Sequence, residues 1–449
     1  MAEQAFHHAL KILNEVCFGC THCIKVCPTD ALRVSQGKAR LILNRCIDCG
    51  LCMQACPVNA IIIEQDDFNN IFKYKARVAL VPSIMIGQFP RHYSSRKIYS
   101  GILEQGFTHV YEVEHGASIL REQINEYVAT NPDIRPVISS FCPAIVRLIQ
   151  VRFPSLVDNI MLLKAPLDLA SISFKHELLE RGIKEEDIGI FYVTPCAAKI
   201  AAIKSPVGEI SSPIAGVINV DLLFNKVYTS FKKEEKASCI VPEKEQLRPE
   251  EMEWSLTRGE AKYIKGRCLA IDGIKNAIEF LEQIENGTAV NFDFIELRSC
   301  DESCAGGILT TSNRFLTSER LHERALKYVH DKSEGRIVNN KSIDRHKSFV
   351  EKQVRIGKIE PRSMLKLDED MEKAMGKIKN IRKINKFLPG IDCGGCGSPT
   401  CRTLAEDVVQ GEAKTSDCIY LQNALNCAPD KPEKAEDIWG KGRFDNIIP

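Results

Sequence analysis

Residues 17–57 read CFGCTHCIKVCPTDALRVSQGKARLILNRCIDCGLCMQACP. Cys17, Cys20, Cys23, Cys27 and Pro28 recur as Cys46, Cys49, Cys52, Cys56 and Pro57, at a constant offset of 29 residues. Ala31 maps onto Ala60, and each half ends in a short apolar run that reads as a strand: Ala31-Leu32-Arg33-Val34 and Ala60-Ile61-Ile62-Ile63. Thiolates in such a run, closed by Pro, are ligands of iron–sulfur clusters; three consecutive cysteines wrap one cluster and the fourth reaches the other. The spacing predicts one [4Fe–4S] cluster on Cys17, Cys20, Cys23 and Cys56, and a second on Cys46, Cys49, Cys52 and Cys27. A pair of zinc knuckles is the alternative, but zinc does not need so tight a run.

This is the spacing of bacterial two-cluster ferredoxins, and it predicts an α+β ferredoxin-like domain over residues 1–72. The rest of the chain has other patterns. It is 449 residues long, enough for about three domains. Its 60 Lys+Arg balance 59 Asp+Glu, so no strong field favours nucleic acid or an anionic membrane, and neither partner is expected. The start, MAEQAFHHALKIL, has no basic region followed by an apolar core. Charge-free stretches such as Ser211 to Val220 fall short of the ~20 apolar residues a spanning helix needs. A cytoplasmic location is expected. There thiols stay reduced, so 19 clustered cysteines imply metal or redox chemistry rather than disulfides.

From about Lys75, apolar runs (ARVALVPSIMI, THVYEVE, RPVISSF, IGIFYVTP, AGVINVD, VNFDFIEL) alternate with amphipathic segments such as Ala117–Thr130, Leu167–Arg181 and Ile274–Asn286. That alternation predicts buried parallel strands in an α/β domain, over residues 73–312. Residues 313–387 are charged and helical in period, the pattern of solvated linking helices or of a face on which a second copy docks as a homodimer. A small unit and tail follow over 388–449, so the C-terminal region is expected to be helical with a small iron–sulfur domain.

Within that last unit, Cys393, Cys396, Cys401 and Cys418 flank the glycine-rich DCGGCGSPTC, where backbone N–H groups can approach cluster sulfides. A helix over Thr403–Val409 separates the last two. One more [4Fe–4S] cluster is expected, with zinc as the alternative because four thiolates alone do not separate the metals. Four middle cysteines are scattered: Cys142 and Cys196 at strand-to-helix turns, and Cys300 and Cys304 in FIELRSCDESCAGG. Thiolates at helix starts on the C-terminal edge of a parallel sheet suit metal ligation; buried core thiols are the alternative.

These middle motifs resemble, in order, the three signature loops of [FeFe]-hydrogenases: SSFCPA, TPCAAK and ELRSCDESCAGG. The flanking VPSIMIGQF, GFTHVYEVEHGAS, LKAP and GIKNAIEFLEQIENG are similar to the catalytic domain of that family, so the resemblance spans about residues 1–311. It implies an α/β H-cluster domain of two lobes with parallel sheets. It implies a [4Fe–4S] cubane on Cys142, Cys196, Cys300 and Cys304, with Cys304 bridging to a two-iron unit that carries CO, cyanide and an azadithiolate. Lys199 matches the lysine that hydrogen-bonds a cyanide, with Pro195 in the same loop; Pro82 and Ser83 match the loop approaching the other cyanide. Three accessory [4Fe–4S] clusters would then form an electron path.

The departures from the family pattern are specific. Phe141 stands where prototypical members carry a proton-relay cysteine, Thr194 and Arg298 stand for methionines, and Ala202 for a proton-path glutamate. LKAPLDLA lacks the glutamines that usually follow its proline. A positioned acid–base relay is worth typically ~10²–10⁴-fold, so slow turnover is expected. With the extra four-cysteine unit and no PAS domain, the chain resembles the sensory subgroup. The resemblance implies reversible splitting of H2, electrons leaving through the clusters to an electron-transfer or signalling protein, and help from hydrogenase maturation proteins. An ordinary ferredoxin-linked hydrogenase with another proton route, and a non-enzymatic iron–sulfur scaffold without the two-iron unit, are the competing readings. Cys239, Cys268 and Cys427 have no ligand spacing, nor do His109, His115 and His176; His7 and His8 read as surface residues, and His22 as a side chain able to tune a cluster.

Overall fold

The computed structural model describes residues 6–233, 247–288, 291–334, 342–362, 367–368 and 370–422. Cys239 and Cys427 lie outside them. The chain forms two compact units: Leu10–Cys46 and Leu51–Ile62 with the residues from Arg362 onward make one; Met1–Ala9, Ile47–Gly50 and Ile63–Pro361 make the other.

The smaller unit contains most of the cysteine repeat. Strand β1 (Leu10–Ile12) pairs with β4 (Ile61–Ile63), and β2 (Leu32–Ser35) pairs antiparallel with β3 (Lys38–Leu41). The repeat is visible in the backbone. Left-handed residues sit at Gly19, Thr21 and Asp30 and again at Asp48, Gly50 and Asn59. In each half the alanine N–H donates to the last cysteine, Ala31 to Cys27 Sγ and Ala60 to Cys56 Sγ, both at 3.2 Å.

The C-terminal four-cysteine segment packs on this same repeat. Its helix Cys401–Val409 carries Asp407 and Glu406, which pair with Arg33 and with Arg45, the latter at 3.0 Å. Gly397 meets β2 edge-on: Val34 N–H donates to its carbonyl at 2.8 Å, and a Cβ there would collide with the Val34 carbonyl. Leu404, Ala405, Cys401, Cys418 and Leu421 are buried together with Ile381 of the preceding helix, Met371–Phe387, and Leu388 just after it.

The larger unit holds two parallel sheets, as the apolar runs predict. One has the order β6-β5-β8-β9, from His109–Glu112, Ala76–Val81, Ile188–Thr194 and Gly216–Asn219. The other has the order β10-β11-β7, from Cys268–Asp272, Phe294–Arg298 and Val137–Ile138. Every residue of β8 and β11 is buried, which is why these strands read as unbroken apolar runs.

Two local readings change. The charged helix Arg314–Ser333 buries Leu321, Ala325 and Tyr328 in this unit. Its Arg324 forks onto Glu112 at 2.7 and 2.9 Å, so one face of a helix that reads as solvated is in fact packed. His8 is not a surface residue: its Nδ1 lies 2.8 Å from Asp48 Oδ2, and Arg147 pairs with the same carboxylate.

Candidate metal centre

Three strand-to-helix transitions of the larger unit deliver the four middle cysteines to one place. Cys142 precedes the helix Pro143–Arg152, and Cys196 precedes Ala197–Lys204. Cys300 and Cys304 lie in the turn after β11. Arg298, Ser299, Cys300, Ser303 and Cys304 wall one cavity with Cys142, Cys196 and Lys199. Burial, together with Cys196, Cys142 and Cys304, pushes the Cys300 thiol well above its ordinary range; Cys196 is pushed up to about 11, chiefly by burial. Thiols raised like those of Cys196 and Cys300 ionise readily only beside a cation, and four sulfurs around one cavity fit an iron–sulfur cluster.

Lys199 completes this wall. It is half-buried, and its Nζ donates to Cys304 Sγ at 3.7 Å. Burial opposes its charge, but Cys304, Tyr192 and Cys196 hold its pKa above the usual lysine value. It is therefore a charged donor aimed at the cysteine expected to bridge. Lys199, Phe141 and Pro143 also line a second cavity, whose wall includes Ala202, Lys164, Asp168 and Glu209. The Asp168 carboxyl is pushed up to about 6 by burial, against the pull of Lys164. The two cavities share Phe141, Pro143 and Lys199 in their walls, and an ammonium between them suits an anionic group.

Phe141 is buried at this junction, 6.1 Å from the Trp254 ring, and a phenyl ring carries no proton. Pro195 walls the cysteine cavity, where its carbonyl accepts from Leu309 at 3.1 Å. Pro82 caps the helix Ser83–Gly87. Ser83 reaches the centre at one remove: its Oγ is 3.3 Å from Ser255 Oγ, and the Ser255 carbonyl accepts from Cys304 N–H at 3.1 Å.

Several charged groups behind these residues were not singled out from sequence. Ser83 donates N–H and O–H to Glu114 at 2.8 and 2.9 Å, and burial pushes that carboxyl up to about 7. Arg298 pairs with buried Glu260, which accepts from Ser139 Oγ at 2.8 Å and is pushed up by burial against the pull of that guanidinium. Glu296 accepts from the N–H groups of Glu260 and Ala261 at 3.1 and 2.9 Å. A glutamate inside the buried run FIEL was the available signal: an apolar strand carries such a residue only if something binds it.

In the smaller unit, Cys23 is pushed up to about 11 by burial and by Cys20 and Cys17. Cys52 is raised by burial and by Cys27, Cys46 and Cys23. Cys49 falls in the segment 47–50 that groups with the larger unit, and Cys56 accepts from Ala60. Cys396 is raised by burial and by Cys418 and Cys393, and Cys401 packs in the same cluster. His22 is exposed, and Cys268 donates to the carbonyls of Ile264 and Gly266 at 3.5 and 3.7 Å.

Comparison with known proteins agrees with this division of labour. Residues 75–235 match the family profile of the iron-only hydrogenase large subunit, C-terminal domain. Residues 9–57 match a 4Fe-4S dicluster domain, and 388–420 an Fe-S cluster family. The NADP-reducing hydrogenase subunit HndD of Solidesulfovibrio fructosivorans is 22% identical over 202 residues, 42% of this chain and 31% of that protein. Subunit gamma 1 of the acetyl-CoA decarbonylase/synthase complex of Methanosarcina thermophila is 42% identical over 45 residues, 10% of each chain. The chain thus spans a third or less of the length of these curated relatives. Among solved structures, an [FeFe]-hydrogenase HydA1 from Chlamydomonas reinhardtii aligns over 64% of this chain and 96% of its own, with 15% identity and a TM-score of 0.45. No helix among the described residues is long and apolar enough to cross a membrane.

Proposed function

We propose that the chain is an [FeFe]-hydrogenase-type oxidoreductase of low turnover, of the sensory kind, that splits H2 reversibly. The observation that carries this reading is the meeting of Cys142, Cys196, Cys300 and Cys304 in one wall, with Lys199 3.7 Å from Cys304 and also lining a second cavity. The four cysteines would hold the cubane, and Cys304 would also hold the two-iron unit. Lys199 would bind that unit's cyanide, with Pro195, Ser83 and Pro82 around it. When bound, the group supplies the metal that takes up H2 and the base that receives its proton.

The protein's own residues set the conditions. Phe141 excludes water from the junction and offers no proton acceptor. Ala202, in the wall of the outer cavity, offers none either. Arg298, paired with Glu260, brings a positive charge toward Cys304 and Cys142. The repeat and the C-terminal cysteines would hold accessory [4Fe–4S] clusters that carry electrons to a redox or signalling partner.

The test is H2 itself. Anaerobic, fully matured protein under H2 should bleach in the visible as its accessory clusters are reduced, slowly and without added dye. Bleaching by dithionite but never by H2 would contradict the reading and favour a scaffold.

A further inference from the structure

We propose that His176, Glu180 and His346 form a divalent transition-metal site, for zinc above all, outside the cysteine clusters. It is independent of the hydrogenase reading. His176 and Glu180 lie one turn apart at the end of the helix Pro166–Glu180, so both face the same side. His346 comes from a distant segment, at the start of the helix Lys347–Glu351. The three ligand atoms lie within 4.8 Å of one another. His176 Nε2 is 3.2 Å from Glu180 Oε1, and His346 Nε2 is 3.7 Å from Glu180 Oε2. Ligands bound to zinc at about 2.0–2.1 Å stand roughly 3.3 Å apart on a tetrahedron, so small side-chain rotations close the set.

The two histidines are held in place. His346 is buried between Ile343 and Val350, both fully buried core residues. The His176 ring stacks on Phe349 at 3.9 Å and 14°, and meets the His346 ring edge-on at 5.0 Å. Glu180 is half exposed, which leaves an entry path and a fourth position for water. Two imidazoles and one carboxylate select zinc and its first-row neighbours over magnesium or calcium, which prefer oxygen ligands. Three protein ligands with an open position is a common zinc arrangement. The bound ion would pin the segment around His346 to the helix whose first turn, at Leu167 and Asp168, walls the outer cavity.

The test uses the full chain, anaerobic and cluster-loaded, so that the cysteines are already occupied. Equilibrium dialysis against zinc at low micromolar concentration should leave the wild type with one more zinc per chain than His346→Ala or Glu180→Gln, with iron content unchanged. Zinc should raise the melting midpoint of the wild type and not of either variant. Glu180→Gln removes a half-exposed carboxylate, so it reports even where His346→Ala loses its cluster signals. Equal zinc content and equal midpoints in wild type and Glu180→Gln would overturn the proposal and leave the three side chains merely packed together.

Discussion

Phe141 fills, in the proposed function, the place from which a proton would be relayed. If proton delivery limits turnover, Phe141→Cys should raise the rate, by at most ~10²–10⁴-fold, and by less if Ala202 leaves the outer path broken. The substitution opens space beside Trp254 and could cost about 3–5 kcal/mol at worst, so the melting midpoint should be read with the activity. A folded, matured variant no faster than wild type would clear Phe141 of the bottleneck. Glu114 gives a pH signature. Its folded-state pKa is raised from 4.5 to about 7, so the fold is penalised as the carboxyl ionises, from above pH 4.5 until it is complete beyond about 7. Glu114→Gln should therefore gain on wild type by about 1–3 kcal/mol in unfolding free energy between about pH 5 and pH 8. Parallel pH profiles would contradict it. The cysteines of the repeat and of the C-terminal unit could be grouped by their local spacing, whereas the scattered middle four could be grouped only by resemblance. Glu114 and Glu260 were not legible, because their partners Ser83 and Arg298 are far off in sequence, and neither was the pairing of His176 with His346, for the same reason.

Helices and buried strands were legible as elements. Ala117–Thr130 has the residues that the periodicity predicts, and β8 and β11 follow the apolar runs. The strand β10 was missed because CLAID is short and half-exposed throughout, with neither alternation nor a long apolar run. The packing of the C-terminal helix Cys401–Val409 was also hidden, since charges hold it. Arg33 is buried against Asp407, whereas Arg40 and Glu412 pair at the surface. Arg33→Met should destabilise the smaller unit by about 3–5 kcal/mol by leaving a carboxylate uncompensated. Arg40→Met should cost about 0–1 kcal/mol. Equal effects in thermal unfolding of the cluster-loaded protein would mean that the Arg33 pair does not hold the helix.

For the whole molecule, the cysteines of the repeat other than Cys49 share one compact unit with those near 393–418, while Cys49 and the middle cysteines lie in the other. Sequence order places the C-terminal cysteines far from the repeat; tertiary ion pairs and the Gly397–Val34 contact bring them together. The central claim is that the larger unit holds a two-iron unit at Cys304 beside its cubane. Its most direct test is the infrared spectrum of anaerobically matured protein carrying about 18 iron atoms per chain. We expect bands of metal-bound CO and cyanide in the wild type and none in Cys304→Ala, with the accessory-cluster paramagnetic signals kept in both. A wild type fully loaded with [4Fe–4S] clusters after maturation, yet without those bands, would contradict it.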